Sequence, residues 1–171
     1  MKKPLSGKIA FITGSARGFG FVLASKLLEA GATVVVTARN EAALASALAA
    51  LKGRGEVDGL LLDVRESKSV YEAAEKIVRK FGRMDIWVNN AGYSSAAGLM
   101  AEFDPREVLD MFLVNDLGAF HGTQAALKHM SPRRSGTIVN LYGFGSKLEP
   151  ATPTGLYGTT KAWVASFTRS L

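Results

Sequence analysis

Five short and nearly continuous apolar strings punctuate the chain, at positions 8–13, 33–37, 59–62, 85–88 and 137–141. A strand with one wet face would alternate apolar and polar residues. Unbroken runs such as Ile9-Ala10-Phe11-Ile12 and Thr33-Val34-Val35-Val36 instead predict strands buried on both faces. Between them lie stretches of helical length. Positions 19–30 are followed by Gly31, 41–52 by Gly53 and 67–81 by Gly82, each with the glycine expected just past a helix end. Asp104-Pro105-Arg106-Glu107 opens another helix, with an acidic cap, proline at the first helical position and glutamate three residues after the cap. Strand alternating with helix predicts an α/β fold: a parallel sheet with helices on both faces, in three layers.

Composition fits that picture and narrows the function classes. The chain has 171 residues, 47% of them hydrophobic, enough for one domain over 1–171 that buries roughly two-thirds of its unfolded surface. It has no cysteine, which excludes thiol nucleophiles, cysteine zinc sites and iron–sulfur clusters. His121 and His129 have no acidic cluster at ligand spacing, so no metal site is expected. The net charge is +6, but the basic residues are scattered and lack interleaved aromatics, so no nucleic-acid partner is expected. Neither a secretory signal nor an apolar run of membrane-spanning length is present. No membrane partner and a cytoplasmic location are therefore the expectations.

The first strand runs directly into Thr13-Gly14-Ser15-Ala16-Arg17-Gly18-Phe19-Gly20 and then a helix. Glycines allow a tight turn and close backbone approach, while a helix N-terminus offers free N–H groups to an anion such as a dinucleotide pyrophosphate. NAD sites place an acid about 20 residues beyond the glycines to hold the ribose 2′-hydroxyl. Position 38 is alanine, followed by Arg39, and Arg17 lies in the loop itself. Two guanidinium groups suit a 2′-phosphate, so NADP(H) is expected over NAD(H).

Three further stretches follow in order: Asn89-Asn90-Ala91-Gly92, then Asn115, then Tyr157-x-x-x-Lys161. Together with the glycine loop they make the chain resemble the short-chain dehydrogenase/reductase family. A looser likeness to its chlorophyll b reductase branch lies in Asp85-Ile86-Trp87-Val88 and Gly143-Phe144-Gly145. The resemblance implies a Rossmann-type doubly wound sheet, here without the family's C-terminal strands, and nicotinamide-dependent interconversion of a carbonyl and an alcohol. It implies that Gly14, Ser15, Arg17, Gly18, Phe19, Gly20 and Arg39 bind the cofactor. Asp63 and Val64 then sit by the adenine, and Asn90, Ala91 and Gly92 line the cofactor. Lys161 bonds the nicotinamide ribose, and Asn115 joins a water-linked proton path. A small-molecule partner and a homo-oligomer built through the two long C-terminal helices are also expected.

Residues four apart share a helix face, so Tyr157 and Lys161 act on one small volume. A free phenol ionises near pH 10. A neighbouring ammonium favours the phenolate and burial opposes it, and Tyr157 is the expected general acid/base. Family members carry a serine three residues after the asparagine of the fifth strand, and position 143 is glycine here. Ser146 is the nearest downstream hydroxyl and the expected polarising donor, with Tyr142 a second candidate. The alternative class is an NADP(H)-binding module without efficient catalysis, suggested by Gly143 and by a chain that stops within the Tyr–Lys helix.

Overall fold

The computed structural model describes residues 3–94, 98–147 and 155–171. Its elements run β1 (Ile9–Ile12), α1 (Gly18–Glu29), β2 (Thr33–Ala38), α2 (Glu41–Leu51), β3 (Val57–Leu61), α3 (Ser67–Phe81) and β4 (Ile86–Asn89). Then come α4 (Pro105–Phe112), a π-helical turn (Leu113–Leu117), α5 (Gly118–Met130), β5 (Thr137–Asn140) and α6 (Gly155–Arg169). All strand pairs are parallel, in the order β3-β2-β1-β4-β5. The expected α/β Rossmann-type sheet is therefore present.

The alternation of side chains along each strand sorts the core into two layers. Ala10, Ile12, Val34, Val36 and Val88 pack with Ala24 and Leu28 of α1 and Leu51 of α2. Ile9, Phe11, Val35 and Trp87 face the other way, onto Val70 and Ile77 of α3 and Ala125 and Met130 of α5. Phe11 and Trp87 meet with ring centroids 4.3 Å apart. Each such fully buried large side chain contributes about 2 kcal/mol. Trp87 Nε1 donates to Asn89 Oδ1 at 2.7 Å, and Asn89 in turn donates to Thr123 of α5 and Asn140 of β5. Burial of that polar chain is possible because its donors are satisfied.

Two local features differ from the sequence reading. β3 starts at Val57 and ends at Leu61, earlier than the apolar run 59–62, because Val57 and Asp58 pair with Val34 and Val35. The helix opened by Asp104 does start at Pro105, with Asp104 accepting from Arg106 N. It is interrupted by the π-helical turn that carries Asn115 and Asp116. Such wide turns are rare and concentrate at functional sites.

Asp85 ties the bottom of the sheet together. It is 4% exposed and accepts from Ile9 N at 3.0 Å and from Arg83, with Lys8 and Arg133 close by. Burial pushes its carboxyl up, but the hydrogen bonds from Arg83 and Ile9 and the surrounding cations win and hold it below its ordinary value. A carboxylate whose folded pKa is depressed stabilises above its unfolded value, about pH 4, and that contribution is lost as pH falls through the lower folded value. Asp85→Ala is expected to cost about 3 kcal/mol in urea denaturation at neutral pH. The difference from wild type should shrink as both are titrated into acid.

Candidate active site

The strand order reverses direction between β1 and β4, and ligands of open α/β sheets bind in the crevice at the carboxyl ends of the strands there. The loop after β1 and the segment after β4 meet at this point. Thr13 Oγ1 accepts from both Asn90 N (3.0 Å) and Ala91 N (2.9 Å). Asn90 Nδ2 donates back to Thr13 O (2.8 Å) and Gly14 O (2.9 Å). Asn90 thus braces the loop as well as lining the cavity beyond it. Gly14, at φ 61°, has no room for a side chain, since a Cβ would lie 2.9 Å from Ala91 Cα. At Gly20 a Cβ would strike Asn90 Nδ2 and come within 3.0 Å of Gly14 O.

The N-terminus of α1 is left open to an anion. Arg17 at its cap position is extended and makes no side-chain capping bond, and the first turn carries no acid. The helix therefore presents uncompensated N–H groups and positive potential at the loop. Arg17 and Phe19 are exposed. Ser15 is placed beneath the loop: it is fully buried, donates to Ile12 O (2.7 Å) and accepts from Thr37 N (2.9 Å). Its side chain locks β1 to β2 and does not reach the crevice.

Arg39 is exposed just past β2, beside Asp63. Asp63 is held by Arg65, whose Nη2 donates at 2.6 Å. The Arg65 hydrogen bonds, with Arg39 adding to the positive field, keep the Asp63 carboxyl below its usual range. Val64 is buried against Gly118 at the start of α5, and its carbonyl lies 3.2 Å from His121 Nδ1.

Across the crevice, α6 brings Tyr157 and Lys161 beside the β4 segment. Lys161 Nζ lies 5.4 Å from the Tyr157 ring centroid and donates weakly to Leu141 O at 3.4 Å. Burial pushes the Tyr157 phenol up and the Lys161 ammonium down. Of the two opposing influences expected on the phenol, desolvation prevails in the ligand-free protein. Asn115 is 2% exposed and fully bonded: its Oδ1 accepts from Tyr93 N (2.8 Å), and its Nδ2 donates to Tyr93 O (2.8 Å) and Thr160 Oγ1 (2.9 Å). It joins the β4 segment to α6, so its side chain is a clamp. The contributions of Tyr93 and Thr160 had no signal in the sequence beyond proximity to a motif.

These elements enclose a cavity of about 530 Å3. Gly14, Arg17, Gly18, Phe19 and Gly20 form one side, Asn90, Gly92, Tyr93 and Ser94 the floor, and Leu141, Tyr142, Tyr157 and Lys161 the far end. Tyr142 lines it and Ser146 does not. Ser146 is turned into a bend in which its N–H bonds Gly143 O at 3.1 Å. At the position of the missing serine a Cβ on Gly143 would lie 2.8 Å from the Tyr157 hydroxyl, so a side chain there requires the phenol to shift. Among the described residues no helix is long and apolar enough to cross a membrane, and no cluster of three potential metal ligands occurs.

An open helix N-terminus at the switch point thus faces a tyrosine–lysine pair along one cavity of an α/β fold. The family model for short chain dehydrogenase matches residues 8–171, and the chain belongs to that family. It is 35% identical over 170 residues to 2,3-dihydro-2,3-dihydroxybenzoate dehydrogenase of Bacillus subtilis, covering 99% of this chain and 64% of the relative. It is 34% identical over 165 residues to chlorophyll(ide) b reductase NOL of Oryza sativa subsp. japonica, covering 94% and 48% respectively. Among solved structures, NAD+-bound xylitol dehydrogenase superposes with a TM-score of 0.93 at 27% identity, over 98% of this chain and 65% of that one. The chain thus spans about two-thirds or less of the length of these relatives.

Gly20→Ala tests the brace between loop and β4 segment. It should weaken nicotinamide-dinucleotide binding about tenfold in calorimetry, the equivalent of one lost hydrogen bond of ~1.4 kcal/mol.

Proposed function

We propose that the protein, as one domain over 1–171, interconverts a small-molecule carbonyl and a secondary alcohol with NADP(H), using Tyr157 as general acid/base. The observation that carries this reading is the single cavity that has the open end of α1 at one side and Tyr157 with Lys161 at the other. The bound nicotinamide supplies or accepts the hydride at the substrate carbon. In the reducing direction the Tyr157 hydroxyl gives its proton to the carbonyl oxygen, and in the oxidising direction the phenolate takes it from the alcohol. Lys161 offers its ammonium to the cofactor ribose and to the field at the phenol. The Asn115 clamp holds the β4 segment and α6 at fixed separation, consistent with a place in the proton path. Tyr142, on the cavity wall, is better placed than Ser146 to donate to the substrate oxygen.

The preference for a 2′-phosphate rests on charge. Asp63 is held by Arg65, Arg39 is exposed near Asp63 just past β2, and Arg17 lines the cavity. A guanidinium pair accepts a phosphate with charge-assisted hydrogen bonds. Arg39→Ala should reduce NADPH affinity about tenfold or more and leave NADH affinity nearly unchanged in parallel titrations. Equal losses for both would argue against the 2′-phosphate assignment.

The second reading, a cofactor-binding protein without efficient catalysis, is favoured by Gly143, which supplies no serine hydroxyl. An absent oxyanion-type donor lowers rate by ~10²–10³ while leaving binding intact. The exposed apolar side chains Leu109 and Phe112 of α4 and Trp163 of α6 support association of two copies through this helical face. Tyr157→Phe separates the two functional readings. Under the enzymatic reading it abolishes NADPH oxidation by a panel of ketones and aldehydes, a loss of about 10²-fold or more, with NADPH still bound. No turnover in the wild type, with tight NADPH binding, would establish the second.

A further inference from the structure

The π-helical turn holds one ionisable group to which no role has been given. Asp116 is 1% exposed, and its Oδ1 is buried without a hydrogen-bond partner among the described residues. It lines a cavity of about 230 Å3 between α4 and α6 that is otherwise built mainly from apolar side chains. A buried carboxylate with an empty acceptor is costly unless it takes up a proton or a counter-charge compensates it. From α4 that cavity receives Val108, Met111 and Phe112, none of them titratable. From α6 it receives Thr160, and the next residue is Lys161.

The hydrogen bond from Asn115 to Thr160 therefore staples together the immediate sequence neighbours of Asp116 and Lys161. Lys161 is itself 5% exposed, with a long bond to Leu141 O. An acidic and a basic group thus lie buried on directly packed turns, the first with an unbonded oxygen and the second weakly bonded. We infer that Asp116 is the buried counter-charge of Lys161 and, through it, a positioning residue for the Tyr157 phenol. This rests on the proposed role of the Tyr–Lys pair, but the pairing itself is a property of the ligand-free protein.

The electrostatics carry a consistent sign. Burial raises the Asp116 carboxyl to about 7, with Lys161 opposing that rise. Burial lowers the Lys161 ammonium, with Asp116 opposing that fall. Among the described residues, the Tyr157 phenol on α6 and the carbonyl of Leu141 after β5 lie at the Lys161 ammonium. Asp116 becomes anionic on the alkaline side of neutrality, which is where a buried lysine needs support to remain charged.

The test is a 13C NMR titration of the Lys161 side chain, assigned by comparison with Lys161→Arg. In Asp116→Asn the lysine should lose its proton at lower pH than in wild type, and Asp116→Glu should restore the midpoint. If the NMR midpoint is the same in wild type and folded Asp116→Asn, the pairing is wrong. Should Asp116→Asn fail to fold, the wild-type Asp116 carboxyl is followed instead: its midpoint should rise in Lys161→Met, and an unchanged midpoint overturns the inference. In NADPH-dependent carbonyl reduction, Asp116→Asn should lose about tenfold in kcat near pH ~9, with little change near pH ~6.5. A uniform loss at both pH values would overturn the positioning role. Because the titrations need neither cofactor nor turnover, they separate failure of this pairing from failure of the enzymatic reading.

Discussion

The contact on which the site depends is the one between the loop after β1 and the segment after β4. Thr13 and Asn90 exchange hydrogen bonds through both backbone and side chain, and the two glycines at the contact leave no space for a Cβ. That junction fixes where the N-terminus of α1 points. It also fixes the floor of the cavity, because the same β4 segment continues to Gly92 and Tyr93. Tyr93 is then gripped by Asn115, and Asn115 grips α6 through Thr160. A continuous chain of bonded groups thus links the α1 end of the cavity to the tyrosine–lysine end. Positioning of this kind is what a protein contributes when a cofactor carries the redox chemistry.

The second constraint is dielectric. Tyr157 and Lys161 are withdrawn from water, which raises the phenol and lowers the ammonium. Each shift disfavours the charged form, so the pair is poised against its own activation in the ligand-free protein. Positive charge arriving with an oxidised nicotinamide would favour the phenolate, and negative charge at Asp116 would favour the ammonium. Gly143 lies against the same pair: a Cβ there would come 2.8 Å from the Tyr157 hydroxyl, and the glycine offers no side-chain donor.

Much of the architecture was legible because it depends on burial. Strands covered on both faces must read as unbroken apolar runs, and 33–37 lies wholly within β2 as it forms. Helix ends at Gly31 and Gly82 were legible because glycine takes the left-handed conformation there. The site was legible only as far as its backbone. That Gly14 and Gly20 meet the β4 segment follows from their lacking side chains, but Ser15 turning inward to Thr37 depends on a partner 22 residues away. The π-helical turn at Asn115 is set by Tyr93 and Thr160, which lie far from it in sequence. Ser146 was expected at the substrate on spacing alone, and the bend at Gly143–Ser146 leaves it off the cavity wall while Tyr142 lines it. Asp116 carried no signal, since an aspartate on a helix is normally solvated and only packing by α4 and α6 buries it.

On the proposed reading, one cavity brings a nicotinamide and a carbonyl together beside Tyr157. The most direct measurement is isotopic: the protein is incubated with NADPH deuterated at the transferring C4 position and a ketone that it reduces, and the alcohol is examined by mass spectrometry. Deuterium is expected on the carbinol carbon, with a solvent-exchangeable proton on oxygen. Alcohol formed with no deuterium on carbon, or NADPH bound tightly with no transfer to any ketone or aldehyde, would contradict it.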